Sequence, residues 1–284
     1  MKENKIKVDK IFLSNLLKKV KSNKKYKSLS SDIVIKEIKN YLKSNPKVTS
    51  IDRESIKQIR SMLHKKYSSF QTKGKRKRNL YLEELEKHVN SDNKDILEIT
   101  KKLLSIVVST KERVNDYSFL YESIFKHTGF PETIVDLGCG MNPLSYPFMD
   151  LKKVKYFCYD IDEQDINFLN KYFEVMKKRG FFGHAEILDM TDTDNVKNLP
   201  KSNIAFLFKT LDVIDIKNHK ASEALIKQLI NITDFIVVSF ATKTITMKQM
   251  NKPRRVWFER MLERLKINFE IIKLENEIFY LLSV

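Results

Sequence analysis

The chain has 284 residues, 42% of them hydrophobic, which is enough for a buried core in one or two domains and excludes disorder throughout. No stretch approaches the roughly 18 uncharged apolar residues of a membrane span, no signal-type apolar core follows Met1–Lys10, and Cys139 and Cys158 have neither zinc-ligand spacing nor a disulfide framework. The expectation is a cytoplasmic protein without a metal centre, and its net charge of +17 is lopsided: residues 1–131 carry 31 Lys+Arg against 15 Asp+Glu, residues 132–284 carry 22 against 21. Clustered lysines release counterions from a phosphate backbone, so a polyanion-binding module beside a neutral one is the reading favoured over a merely lysine-rich solvated surface.

In chain order, apolar residues from Ile6 to His127 recur at three and four, as in Ile11, Phe12, Leu16 and Leu17, and only Gly74 interrupts. The spacing predicts helices over Val8–Ser22, Asp32–Ser44, Arg53–Tyr67, Tyr81–Asn90 and Asp95–Ile106, with breaks at Asn45-Pro46 and in the basic run Lys73–Arg78. A further helix over about Lys111–Lys126 ends at Gly129-Phe130-Pro131. Residues 1–108 therefore read as a basic helical domain and 109–284 as a second domain.

After Pro131, strand-length apolar runs alternate with amphipathic stretches: Thr133–Leu137, Lys155–Tyr159, His184–Leu188, Ile204–Phe208 and Phe235–Phe240. This alternation predicts a parallel sheet with helices on both faces. Phe269–Leu274 and Ile278–Ser283, joined by Glu275-Asn276-Glu277, read as an antiparallel hairpin, and the whole matches the Rossmann-like sheet of class I methyltransferases.

Val135-Asp136-Leu137-Gly138-Cys139-Gly140-Met141-Asn142-Pro143 follows the first strand directly. Its glycines let the strand-to-helix turn tighten and bring backbone close to a ligand, while Pro143 occupies the place of the third glycine of a dinucleotide fingerprint. Asp160 ends the second strand 20 residues beyond Gly140, where a carboxylate can accept from both ribose hydroxyls. Asp189-Met190 follows the third strand, a polar and an apolar residue suited to an adenine edge and ring. Asp160 capping the next helix and Asp189 starting a turn are the structural alternatives. Ser109 and Glu112 have capping-box spacing, which leaves Arg113 available to clamp a carboxylate bidentately.

These residues resemble the Arm/Rmt family of aminoglycoside-resistance 16S ribosomal RNA guanine-N7 methyltransferases. The resemblance is carried by Lys24-Lys25-Tyr26, Ser31-Asp32-Ile33-Val34, Leu63-His64, Ser109-Thr110-x-Glu112-Arg113, Asp136-x-Gly138-Cys139-Gly140-x-Asn142-Pro143-Leu144, Tyr159-Asp160-Ile161-Asp162, Phe206-Leu207-Phe208-Lys209-x-Leu211 and Val238-Ser239-Phe240. It implies S-adenosylmethionine as cofactor, held by Thr110, Arg113, Asp136, Gly138, Gly140, Asn142, Asp160, Ile161, Asp189, Met190 and Lys209. It further implies a monomer that docks on the small ribosomal subunit through its helical domain and methylates the decoding-site guanine at position 1405. Two segments depart from the family pattern: Leu211-Asp212 stands where Leu-Pro is usual, and Thr244–Arg255 replaces a Gly-Gly-Arg loop.

Guanine N7 offers a lone pair without a proton, so no general base is needed, and none of the five histidines sits at the carboxyl end of a predicted strand. Catalysis is expected from proximity and orientation, with Lys209, Phe240, Met247, Met250, Arg255 and Trp257 as candidates for positioning a flipped base. Lys24, Lys25, Lys65, Lys66, Lys73, Lys75, Arg76, Lys77, Arg78, Lys243, Lys248 and Arg254 are the candidates for gripping RNA. The competing readings are a methyltransferase of tRNA or another rRNA base, a non-catalytic RNA-binding protein with a relic cofactor fold, and a nicotinamide oxidoreductase, the last disfavoured by Pro143.

Overall fold

A computed structural model describes residues 10–46, 48, 50–67, 77–214, 219–243, 249–250 and 253–284. The described residues up to Tyr67, together with Ile161–Gln164, form one compact unit; residues 77–160 and 165–284 form another. The first unit contains three helices, α1 (Lys10–Lys21), α2 (Ser31–Ser44) and α3 (Arg53–Tyr67). Their apolar residues sit one turn apart, Leu16 with Val20, Val34 with Ile38 and Leu42, and Ile59 with Leu63, and each set is buried in one shared cluster. Asp52 Oδ1 accepts from Ser55 N at 2.6 Å and so satisfies a free amide at the start of α3. Ile161 belongs to this cluster, and its carbonyl accepts from Ser30 N at 3.0 Å.

The second unit begins with α4 (Arg78–His88), α5 (Asn93–Leu104), the single turn α6 (Val108–Lys111) and α7 (Tyr117–Thr128). The expected division at 108/109 does not coincide with the observed one, because α4 and α5 bury Leu82, Leu85, Ile96, Ile99 and Leu103 in the same cluster as Ile134, Tyr156 and Phe206 of the sheet. Arg78, expected to grip RNA, is spent internally: its Nη1 lies 2.6 Å from Asp165 Oδ1, and its guanidinium sits 4.8 Å over the Phe168 ring.

Seven strands follow: β1 (Thr133–Leu137), β2 (Val154–Asp160), β3 (Phe181–Ile187), β4 (Ser202–Phe208), β5 (Thr233–Ala241), β6 (Asn268–Lys273) and β7 (Glu277–Ser283). They form one sheet in the order β3-β2-β1-β4-β5-β7-β6, with β1 to β5 parallel and β7 antiparallel to both β5 and β6, as the sequence led us to expect. β1 and β4 are buried along nearly their whole length, the signature of central parallel strands covered on both faces, whereas the edge strand β3 alternates with solvent. The chain reverses direction across the sheet between β1 and β4, and the crevice at such a switch point is where open α/β sheets place ligands. The remaining helices are α8 (Glu163–Met176), the single turns α9 (Thr193–Val196) and α10 (Leu211–Ile214), α11 (Lys220–Leu229) and α12 (Val256–Leu265).

Candidate active site

The loop after β1 folds back on the end of β2: Gly138 N and Cys139 N both donate to Tyr159 O, at 2.8 and 3.1 Å. Gly138 has φ +66, and a Cβ there would lie 2.5 Å from Thr210 Cγ2 and 2.6 Å from Met190 Cε. That crowding shows how the ends of β1 and β4 and the segment after β3 converge. Gly140, at φ +49, is different, since nothing lies within 4 Å of its absent Cβ and its backbone faces open space. Its N–H donates to Asp160 Oδ2 at 2.9 Å, which fixes the carboxylate at the end of β2 against the loop.

Beneath the loop runs a buried hydrogen-bonded chain. Asn142 Nδ2 donates to Asp136 Oδ2 at 2.9 Å, Tyr156 OH donates to the same oxygen at 2.7 Å, and Asn142 Oδ1 accepts from Tyr117 OH and Arg113 Nη1 at 3.2 and 3.3 Å. Burial pushes the Asp136 carboxyl up to about 6; the bonds from Asn142 and Tyr156 and the Arg113 charge pull the other way without cancelling it. Its second oxygen, Oδ1, is buried with no hydrogen-bond partner among the described residues. An anionic acceptor so left over is unusual enough to point to a cationic or N–H partner brought by a ligand.

Arg113 is 2% exposed. Its Nε donates to Glu277 Oε2 at 2.8 Å, and its guanidinium lies 5.1 Å over the Phe208 ring. Glu277 also accepts from Ser239 Oγ, and its Oε2 stands 3.3 Å from Lys209 Nζ, which in turn donates to Glu112 Oε2 at 2.6 Å. Lys209 takes a left-handed backbone, φ +57, at the end of β4, stabilised where its N–H donates to Ser239 Oγ at 3.0 Å. Two cations and two carboxylates thus interlock where β4, β5 and β7 meet the segment before α7.

The expected capping box is not formed. α6 starts at Val108, with Val107 in the capping position, so Ser109 lies inside the turn and Glu112 turns to Lys209 instead. Thr110 is buried and its hydroxyl donates to Leu104 O and Val107 O, at 2.6 and 3.1 Å, which stitches the turn to the end of α5. Asp189 Oδ1 accepts from Thr191 N and Thr191 Oγ1, at 3.0 and 2.6 Å, so the turn reading of Asp189 is realised while Met190 reaches Gly138. Ile161 lies with the α1–α3 unit rather than with the other candidates.

Of the base-positioning candidates, Phe240 is fully buried, edge-on to Trp257, Phe258 and Tyr280, and so is a core residue that cannot stack on a base as it stands. Trp257 stacks on His219 with ring centroids 3.8 Å apart. Arg255 Nη2 donates to Asp212 Oδ2 at 2.9 Å and to Ala241 O at 3.1 Å, and Arg255 lies 5.2 Å over the Phe240 ring, with Met250 beside it. The two segments that depart from the family pattern are thereby tied to one another. Met247 and Lys248 lie outside the described residues, as do Lys73, Lys75 and Arg76; the side chains of Lys65 and Lys66 are also outside them. Lys24 and Lys77 are exposed, Lys243 pairs with Glu275 at 2.7 Å, and Arg254 forms a two-pronged pair with Glu259, both bonds 2.7 Å. Sequence reading missed Glu277, Tyr117 and Tyr156. The one available signal for Glu277 was a carboxylate set directly before an unbroken apolar strand.

A model of the ribosomal RNA methyltransferase (FmrO) family matches residues 23–281. The chain belongs to that family. Among curated relatives, a 16S rRNA (guanine(1405)-N(7))-methyltransferase of Micromonospora echinospora is 25% identical over 81% of this chain and 82% of its own length. One of the same description from Proteus mirabilis is 30% identical over 66% of each. Among solved structures, the 16S rRNA methyltransferase RmtF in complex with S-adenosyl-L-homocysteine superposes with a TM-score of 0.76 at 19% identity, covering 97% of this chain and 98% of that one. The 16S rRNA methylase RmtB gives 0.71 at 20%, covering 95% and 98%, so the fold is shared along the whole length. As a member of the FmrO family the chain is a methyltransferase that modifies ribosomal RNA and draws its methyl group from S-adenosylmethionine. No helix among the described residues is long and apolar enough to cross a membrane.

Proposed function

We propose that this FmrO-family enzyme methylates N7 of the decoding-site guanine, 1405 in the relatives' names, within the small ribosomal subunit, and acts as a monomer. The observation that carries the reading is how the charges at the rim of the site are committed among the described residues: Arg113 and Lys209 are paired with Glu277 and Glu112, and Arg255 with Asp212, while the buried Asp136 Oδ1 is left to the cofactor, an arrangement that suits an acceptor nitrogen with no proton to lose.

S-adenosylmethionine, when bound, supplies a methyl group on a sulfonium, open to in-line displacement. The residues present fit it: Asp136 Oδ1 offers an unpartnered buried anion to a cationic group, Gly140 leaves open space for close backbone approach, and Asp160 offers a fixed carboxylate to the ribose hydroxyls. Met190, packed against Gly138, suits an adenine face. Arg113 acts in this reading on two sides, anchored by Glu277 and aimed through Asn142 at the loop, so that it positions the loop as well as any carboxylate near it. Lys209, held between Glu112 and Glu277, and Arg255, held by Asp212, set the rim where the base must be presented. What the chain contributes to the rate is orientation: a rigid, interlocked rim fixes the angle between base and methyl group.

The test is mass-spectrometric mapping of small subunits, and separately of bulk tRNA, after incubation with enzyme and isotopically labelled cofactor. A single label at the decoding-site guanine, retained on assembled subunits and absent from tRNA, is the expected result. Faster labelling of tRNA, or of a different rRNA base, overturns it.

A further inference from the structure

Thr210 stands directly after β4, at the one place that the stretch Phe206-Leu207-Phe208-Lys209-x-Leu211 leaves open. Its carbonyl accepts from Val213 N and Ile214 N, at 3.0 and 3.2 Å, so the residue heads the turn α10. A threonine in that place ordinarily spends its hydroxyl on a free amide of the first turn. Here the hydroxyl is not spent: Thr210 is 5% exposed, and its Oγ1 is buried with no hydrogen-bond partner among the described residues. A buried hydroxyl left in that state costs free energy unless a ligand satisfies it.

The surroundings narrow the choice of ligand group. The Thr210 methyl packs on Gly138, whose missing Cβ would lie 2.5 Å from Thr210 Cγ2 and 2.6 Å from Met190 Cε. Thr210 therefore touches the loop after β1, while its chain neighbour Lys209 belongs to the interlocked rim, held by Glu112 and Glu277. Another unpartnered atom at this edge, Asp136 Oδ1, lies on the adjoining strand β1, where Asp136 is in register with Phe206 of β4. A methyl group passing from a cofactor in the loop to a base at the rim has to cross beside residue 210. A sulfonium spreads its positive charge over the hydrogens of the attached carbons, and a hydroxyl oxygen is an acceptor for such C–H groups. Being neutral, the hydroxyl does so without the strong ground-state stabilisation that a carboxylate would add.

We propose that Thr210 Oγ1 is a cofactor contact of this enzyme. It accepts from the carbon-bound hydrogens beside the sulfonium, orients the methyl group toward the base, and distinguishes S-adenosylmethionine from S-adenosylhomocysteine, whose sulfide carries no charge. Release of the spent cofactor is eased by loss of the charge that the hydroxyl recognises. The proposal rests on the reading that the cofactor lies against the Gly138–Gly140 loop, and its test lets either fail alone.

The test is titration calorimetry of the full chain with S-adenosylmethionine and, separately, with S-adenosylhomocysteine. Thr210→Val keeps the shape and removes the oxygen. It should weaken S-adenosylmethionine binding about two- to fivefold, the worth of one such contact, and leave S-adenosylhomocysteine affinity unchanged. Thr210→Ser, which keeps the oxygen, should restore the wild-type ratio of the two affinities. Because no protein group loses a partner, cofactor-free Thr210→Val should melt at or above the wild-type temperature. Equal weakening of both ligands overturns the proposal and assigns the hydroxyl to a part of the cofactor that both share, such as the methionine carboxylate. Two unchanged affinities overturn it as well, and so does a melting temperature several degrees below wild type, which would give the hydroxyl a structural partner. Gly140→Ala separates the underlying reading. If it weakens both ligands while Thr210→Val changes neither, only the Thr210 proposal falls. If it leaves both affinities intact while Thr210→Val keeps its selective effect, the placement against the loop falls and Thr210 stands.

Discussion

Asp136→Asn separates the two consequences of a carboxyl buried with one oxygen unpartnered. The amide retains an oxygen for Asn142 Nδ2 and Tyr156 OH, so the hydrogen-bonded chain persists while the charge goes. In the folded wild type burial holds this carboxyl near 6 against an ordinary 3.8, so the folded state binds the proton more tightly than the unfolded chain. The stabilisation this gives is present at low pH and is lost as pH rises through 6; between pH 5 and 7.5 it changes by about 1.4 kcal/mol. Urea unfolding of both proteins, without cofactor, should therefore show their stability difference shifting by about that amount over the interval, whatever the constant offset from the new amide. Calorimetry supplies the second arm. If Asp136 Oδ1 meets a cationic group of the cofactor, wild-type affinity for S-adenosylmethionine falls as pH drops below 6, by up to about tenfold per unit, because the carboxylate must first be ionised. The asparagine variant should bind about 10- to 100-fold more weakly at pH 7.5, the worth of a charged hydrogen bond of about 1.5–3 kcal/mol, with no such pH dependence. A stability difference that is flat with pH, or an affinity equal at pH 5 and 7.5 in the wild type, refutes the reasoning.

Glu277→Gln leaves Arg113 and Lys209 facing a neutral group inside the protein, and a loss of about 3 kcal/mol in unfolding free energy is expected from breaking so buried a pair; a loss below about 1 kcal/mol would show that Glu112 compensates. Gly138→Ala and Gly140→Ala form a matched pair. Both hold a left-handed backbone that costs an alanine about 1–2 kcal/mol; the first must in addition push Thr210 and Met190 aside and should lower the melting temperature further, whereas the second meets open space, bears the backbone strain alone, and should cut S-adenosylhomocysteine affinity at least tenfold. Equal effects of the two on stability would mean that backbone strain, not space, decides both.

Periodicity made the parallel sheet and its closing hairpin legible in the amino-acid sequence, since apolar runs of strand length leave few alternatives once a glycine loop follows the first of them. The division into units was not legible. Nothing in the pattern of α4 and α5 says which core they join; only three-dimensional packing sends Leu82, Leu85 and Leu103 to the sheet's own cluster. The loop carboxylates Asp136 and Asp160 were visible because they stand at strand ends with fixed spacing. Glu277 was not, because its meaning comes from Arg113, 164 residues away in sequence. Arg78 misled for the same reason: a basic run marks excess charge, but one member of it had a private acceptor in Asp165.

The strand order carries a consequence for how the molecule is made. β7 lies inside the sheet, between β5 and β6, although it follows both in the chain. During synthesis the whole of β5, with its run Phe235-Ile236-Val237-Val238, stays an open apolar edge until β7 has emerged. Over the same interval the Arg113 guanidinium has no Glu277 to receive it. A nascent chain therefore passes through a stage that is sticky at one edge and unfinished at its centre, and chaperone supply and translation speed should govern how much of it reaches the finished fold.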